Sequence, residues 1–308
     1  YTASINMEVH ISTQTNVTNL ETIRFFAYFA DVIILSRELS LIQVKEITKE
    51  IEKQQIKGPS ENLVRIEIFV HGALCMAVSG KCYMSLHTAN SSANRGACIQ
   101  NCRKTYTVID KEDRHQFDID NEYIMSPKDL CTIGFLDQVL DSGSSILKIE
   151  GRGRSPEYVK TTTQCYREAA DAYLEGTYNK EKVKGWMSRL KTVYNRGFWD
   201  GYYLGQKMGE WTEIHGSKAA KKKIYLGKAK KYFAKIQVAE FDLETQKLKE
   251  GDNILITGRT TGIIETIAGE IRINDKRVED VNKGDKFSIK LNHKVRPNDK
   301  LYKIVNIQ

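Results

Sequence analysis

Five of the six cysteines lie between positions 75 and 131, as Cys75, Cys82, Cys98, Cys102 and Cys131. A chain of 308 residues that opens without a basic, apolar leader is expected to sit in a reducing compartment and needs no disulfide staples. The clustered thiols therefore point to metal or redox chemistry. Six residues separate Cys75 from Cys82, fifteen separate Cys82 from Cys98, and three separate Cys98 from Cys102, which is not the pair of CxxC knuckles of a structural zinc ribbon. Thiolates drawn from a long glycine-containing loop and the segment after it suit a 4Fe-4S cluster, with zinc and inert buried thiols as the competing readings. Cys165, inside the helical run Tyr158–Ala172, reads as core.

Polar residues stand where apolar runs end. Gln14 and Asn16 follow the first such run, Arg37 and Glu38 the second, His71 the third, and Lys148, Glu150 and Arg152 the last. His71, Glu150 and Glu38 are the acid–base candidates, although a single His at a strand end is as often structural. Gln14, Asn16, Arg37, Lys148 and Arg152 are candidates for binding substrate. The guanidinium fork of Arg152 and the glycines beside it suit a carboxylate or phosphate. The blander alternative is that Glu38 and Glu150 merely satisfy Arg37 and Arg152. The sequence contains no GxSxG, no HExxH and no glycine-rich phosphate loop, which counts against the common hydrolase chemistries.

The elements that would position these groups alternate. Strands are expected over residues 7–13, 32–37, 65–71 and 145–150, with helices over 19–30, 40–55, 129–140, 156–175 and 180–194 and a hairpin over 105–123. That rhythm belongs to a parallel sheet, and in a βα barrel the strand ends would bring the polar residues to one rim. From about residue 224 the texture becomes short β-patterned runs, at 232–241, 253–257, 262–273, 286–291 and 300–305, as in a small barrel or sandwich. Two domains are expected, residues 1–215 and 216–308, the second opening with a basic linker. Between Gly216 and Ala239 there are eight lysines and no acid, within a net charge of +8, which fits an anionic partner such as RNA or a solvated face. No apolar run is long enough to cross a membrane, and a cytoplasmic location is expected.

The segment Glu67–Ser85, with its His71-Gly72 and Cys75, closely resembles the signature of the collagenase-like peptidase family of unassigned catalytic type, the U-type family numbered thirty-two. The resemblance extends to Ser12–Asn16, Ser36–Ser40, Asn94–Arg103, Ser126–Cys131, Leu147–Arg152 and Asn195–Phe198. It implies a TIM-barrel-like domain followed by a small all-β barrel, and a 4Fe-4S cluster held by Cys75, Cys82, Cys98 and Cys131, with Cys102 able to take the place of Cys131. It also implies hydroxylation of an RNA base, either a tRNA wobble uridine, with prephenate implicated as co-substrate, or an rRNA cytidine. Ubiquinone hydroxylation is known among close relatives, and a collagenase-like peptidase or a non-catalytic RNA-binding module are the alternatives. Members usually begin with further strand–helix units that this sequence lacks, so a separate segment or a partner chain is expected to complete the barrel.

Overall fold

The computed structural model describes residues 5, 7–78, 81–112, 114, 116–117, 125–206, 209–213 and 216–307. Two compact units emerge, one of residues 1–153 and 161–218, the other of residues 154–160 and 219–308.

In the first unit the order is β1 (His10–Ile11), α1 (Leu20–Ala27), β2 (Val32–Ile34), α2 (Leu41–Lys53), β3 (Arg65–Gly72), α3 (Met84–Ala89), β4 (Val108–Ile109), β5 (Gln116–Phe117), β6 (Asp129–Cys131), α4 (Leu136–Asp141), β7 (Ile146–Ile149), α5 (Pro156–Leu174), α6 (Lys180–Leu190) and β8 (Phe198–Trp199). Local chemistry explains the helix starts. Ser40 and Gln43 form a reciprocal capping box on α2, while Asn19 and Asn179 cap α1 and α6. Along α2 the buried residues Leu41, Val44, Ile47 and Ile51 recur at helical spacing and join a core with Ile33 and Ile34 of β2 and Ile66, Ile68 and Val70 of β3. Strand β2 pairs parallel with β1 and β3, and β7 pairs parallel with β3, as the βα rhythm predicts. The sheet is nevertheless mixed, because β6 pairs antiparallel with β3 and parallel with β8. Among the described residues its order is the open path β1-β2-β3-β6-β8, with β7 also on β3.

Residues 129–140, expected as one helix, divide into β6 and α4. The buried run Asp129–Cys131 is too short to show alternation, and a turn through Thr132–Phe135 interrupts the helical spacing. The expected hairpin over 105–123 survives as β4 paired with β5, and its residues 118–123 lie outside those described.

The second unit contains β9 (Lys221–Phe233), β10 (Val238–Leu243), β11 (Leu248–Lys249), β12 (Asn253–Gly258), β13 (Gly262–Ile267), β14 (Ile271–Ile273), β15 (Lys276–Val278), β16 (Asp280–Val281), β17 (Lys286–Lys290) and β18 (Lys300–Asn306). Eight of these form a sheet in the order β13-β12-β18-β9-β10-β17-β14-β15, around a core that includes Leu226, Phe241, Ile256, Phe287 and Leu301. The lysine-rich stretch expected as a linker is therefore the long strand β9. The segments expected as single strands over 232–241 and 262–273 are each broken by a turn, the first at Gln237, whose φ is 53°.

Candidate functional site

Strand β3 reads Arg-Ile-Glu-Ile-Phe-Val-His-Gly, and alternation puts Ile66 and Ile68 on one face and Glu67 and Phe69 on the other, before its register against β7 slips between Phe69 and His71. It ends at Gly72, where a φ of 112° requires glycine, and the chain passes into the thiol loop. Two arginines grip the start of that loop. Arg37 Nη1 donates to the Ala73 carbonyl at 2.6 Å while its guanidinium lies 3.7 Å over the Phe69 ring and 3.6 Å from a Glu150 carboxylate oxygen. Arg103 donates to the next carbonyl, Leu74, at 2.7 Å, and also to Ser126 Oγ at 2.9 Å and the Pro127 carbonyl at 2.6 Å.

The other thiols sit on one stitched segment. Helix α3, which begins just after Cys82, holds residues 99–101: the Ile99 amide donates to Ser85 Oγ at 3.1 Å, and Asn101 Nδ2 donates to the Met84 carbonyl at 3.1 Å. Cys98 Sγ accepts from the Gln100 amide at 3.4 Å. Desolvation pushes the Cys75 thiol up, Arg37 opposes it, and the neighbouring sulfurs of Cys82 and Cys98 add to the rise. Cys102 behaves likewise, with desolvation opposed by Arg103 and reinforced by Cys75, Cys98 and Cys82. Among the described residues no three Cys, His, Asp or Glu side chains are already closed to metal-binding distance, so the donors form a neighbourhood rather than a preset tetrahedron.

Cys131 has a different setting. It is buried on β6, and desolvation pushes its thiol up to about 12, with the Tyr166 hydroxyl 3.9 Å from the sulfur. The charges it feels most are Asp200 and Cys165. Of the residues implied by the resemblance, Cys131 thus stands on β6, while Cys102, its alternative there, stands on the thiol-bearing loop.

The remaining expected residues are partly gathered. Gln14 reaches the same loop, donating to the Asn94 carbonyl at 2.9 Å. Arg152 lies against Gly96, where a Cβ would meet its guanidinium at 2.7 Å and where the φ of 82° also favours glycine. Lys148 pairs with Glu67 at 3.0 Å and stands 5.5 Å from the Phe69 ring centre. Glu150 accepts from the Arg152 amide at 2.9 Å. Asn16 Oδ1, at 2.9 Å, and the Glu38 carboxylate are both within reach of the single proton of the Ser36 hydroxyl. His71, in contrast, is not at the rim. It is 1% exposed, paired across the sheet with Cys131, with Nδ1 3.3 Å from the Tyr166 hydroxyl and its ring against Phe198. Strand β3 continues through it to Gly72, which carries the imidazole into the interior.

Three residues escaped the sequence reading. Arg103 is one, and Glu67 and His10 are the others. The buried Glu67 carboxylate takes Lys148 on one oxygen and His10 Nδ1, at 2.8 Å, on the other, while His10 Nε2 meets Glu8 at 2.8 Å. Both imidazole nitrogens face carboxylates, which an imidazolium satisfies with two N–H donors. Burial works against that charge, yet the hydrogen bonds to Glu67 and Glu8 raise the His10 pKa above its usual value. A charged residue on the alternating register of an otherwise apolar strand was the available signal for Glu67. Chemically, the site offers a patch of neighbouring thiols beside a cationic face built from Arg37, Lys148 and Arg152.

Residues 1–213 match the model of peptidase family U32, and the chain belongs to that family. It is 55% identical over 303 residues to a protein named collagenase from Porphyromonas gingivalis, covering 98% of this chain and 73% of that one. It is 30% identical over 275 residues to tRNA hydroxylation protein P1 of Bacillus subtilis, covering 86% of this chain and 62% of that protein. Against the 23S rRNA 5-hydroxycytidine C2501 synthase of Escherichia coli the identity is 29% over 282 residues, covering 88% and 40% respectively. The family thus holds proteins named for RNA hydroxylation as well as for collagenolysis. No helix among the described residues is long and apolar enough to cross a membrane.

Proposed function

We propose that this protein is a cytoplasmic iron–sulfur enzyme that hydroxylates a base of tRNA or rRNA within a TIM-barrel-like domain. The observation that supports this reading most is the placement of the free thiols Cys75, Cys82, Cys98 and Cys102 along a loop whose start Arg37 and Arg103 pin down, with Cys131 on strand β6, which pairs with β3. Four thiols without disulfide partners form the donor set a 4Fe-4S cluster requires, and a bound cluster would supply one-electron chemistry. Lys148 and Arg152 hold a small carboxylate such as prephenate or a phosphate of the RNA, and Glu150 and Glu38 remain the acid–base candidates. The second unit docks the RNA. The RNA-hydroxylation names among relatives support this reading.

The collagenase-named relative at 55% identity supports a second reading, peptide-bond cleavage. One experiment separates the two. Nucleosides from a strain lacking the gene are compared by mass spectrometry with those of its parent, and the purified protein is incubated with collagen. Loss of one hydroxylated pyrimidine, restored by the wild-type gene but not by Cys75→Ser, is expected. An unchanged nucleoside profile together with released collagen peptides would replace the hydroxylase reading with the peptidase one.

A further inference from the structure

We propose that Arg37 and Arg103 are a pair of positioning residues that clamp consecutive carbonyls ahead of Cys75 and place positive charge beside the thiols, so that neither serves to bind substrate. The inference rests on the iron–sulfur reading above and deepens it.

The two side chains arrive from separate places, Arg37 just beyond β2 and Arg103 from a short 3-10 helix at Asn101–Arg103. They converge on Ala73 and Leu74, at 2.6 and 2.7 Å. A guanidinium that donates to carbonyl oxygens is a rigid brace, because its planar fork fixes direction as well as distance. Arg103 spends three donor contacts on neutral acceptors, Leu74, Ser126 and Pro127. Arg37 meets a carboxylate only at 3.6 Å, longer than a good hydrogen bond. Arg103 follows Cys102 directly in the chain, and Arg37 grips the carbonyl two residues ahead of Cys75. Arg37 has one more feature. Its Nε is buried and has no hydrogen-bond partner, a costly arrangement that an acceptor arriving with a cofactor would relieve. Nearby positive charge and hydrogen bonds to cluster sulfurs both stabilise the reduced, more negative form of an iron–sulfur centre and raise its potential.

The test uses the full chain, purified without oxygen, as wild type and as Arg37→Lys, Arg37→Gln, Arg103→Lys and Arg103→Gln. Iron per chain, visible absorbance and midpoint potential are measured, together with the rate at which iodoacetamide labels Cys75 in iron-free protein. Lysine keeps the charge but loses the fork. The lysine variants should bind less than half the wild-type iron, label Cys75 at least fivefold faster, and leave the potential of the remaining cluster near wild type. The glutamine variants should in addition shift the reduction equilibrium tenfold toward the oxidised form, about 59 mV for one electron. Wild-type iron, potential and labelling in both glutamine variants would overturn the clamp and leave the iron–sulfur reading standing. Wild-type protein that takes up zinc and no iron would overturn that reading instead. If a variant misfolds by circular dichroism, the labelling rate in its milder lysine counterpart decides.

Discussion

The choice between Cys102 and Cys131 turns on what surrounds each sulfur. Cys102 stands beside Arg103 on the thiol-bearing loop, whereas Cys131 is buried on β6 and faces a tyrosine hydroxyl inside the sheet. On the iron–sulfur reading, and with Cys102 rather than Cys131 as fourth ligand, Cys102→Ser should strip iron as completely as Cys75→Ser, while Cys131→Ala should retain it and lose only some stability, as checked by iron assay and thermal unfolding; the reverse result would make Cys131 the ligand. Reactivity should divide the same way in iron-free protein. A thiol held at about 12 is thiolate to roughly one part in ten thousand at pH 8, so alkylation should reach Cys131 last. His10 makes a separate prediction. Its folded pKa is raised, so its contribution to stability is fully present below the usual value of about 6.5 and is lost as pH rises through the folded value. The thermal midpoint should fall across that window, and His10→Gln should flatten the fall. Glu8 works in the opposite sense: its lowered pKa gives stability that is lost only on acidification. A midpoint that rises from pH 6 to 8 would contradict the imidazolium assignment.

Among the elements, β9 best shows how sequence and structure diverge. Its lysines hide an apolar register of Ile224, Leu226 and Ala229, and the phase slips through an irregularity near Gly227, so neither strict alternation nor a linker composition describes it. Gly227 lies so close to β10 that a Cβ would meet the Asp242 carbonyl oxygen at 1.9 Å. Gly227→Ala should therefore destabilise the second unit by about 2–3 kcal/mol, measurable by urea unfolding. An unchanged transition would mean that the two strands separate easily. The helices α2 and α5 and the strand β3 were legible, because capping residues, helical spacing and a long apolar run leave few alternatives. The two- and three-residue strands β1, β6 and β8 were not, since pairing with distant partners creates them and their own composition does not. The same holds in the site. The concentration of cysteines was visible in the sequence, but the contacts of Arg103, Ser85 and Met84 that stitch the loop together were not, because they join residues distant along the chain.

For the molecule as a whole, the net charge of +8 overstates the free positive charge of β9. Lys223 pairs with Glu157 at 2.6 Å, Lys228 with Glu244 at 3.3 Å, and Lys230 with Asp242 at 2.7 Å. If RNA docks here, replacing Lys221, Lys222 and Lys223 together by glutamine should reduce the salt slope of binding by about two phosphate contacts, roughly 1.4 for a single strand. Binding of tRNA and rRNA fragments across a salt series checks this, and no change would move the docking surface elsewhere. The clamp on the thiol loop carries a consequence for descent. Every residue offers the same carbonyl, so an anchor that grips main chain at positions 73 and 74 demands little of the side chains there. Arg37 and Arg103 hold the entrance of the loop, while Gln14, Ser85 and Asn101 hold it further along. Ala73, which is only partly buried, can therefore change without loosening either grip, whereas the buried Leu74 also has its own packing to keep.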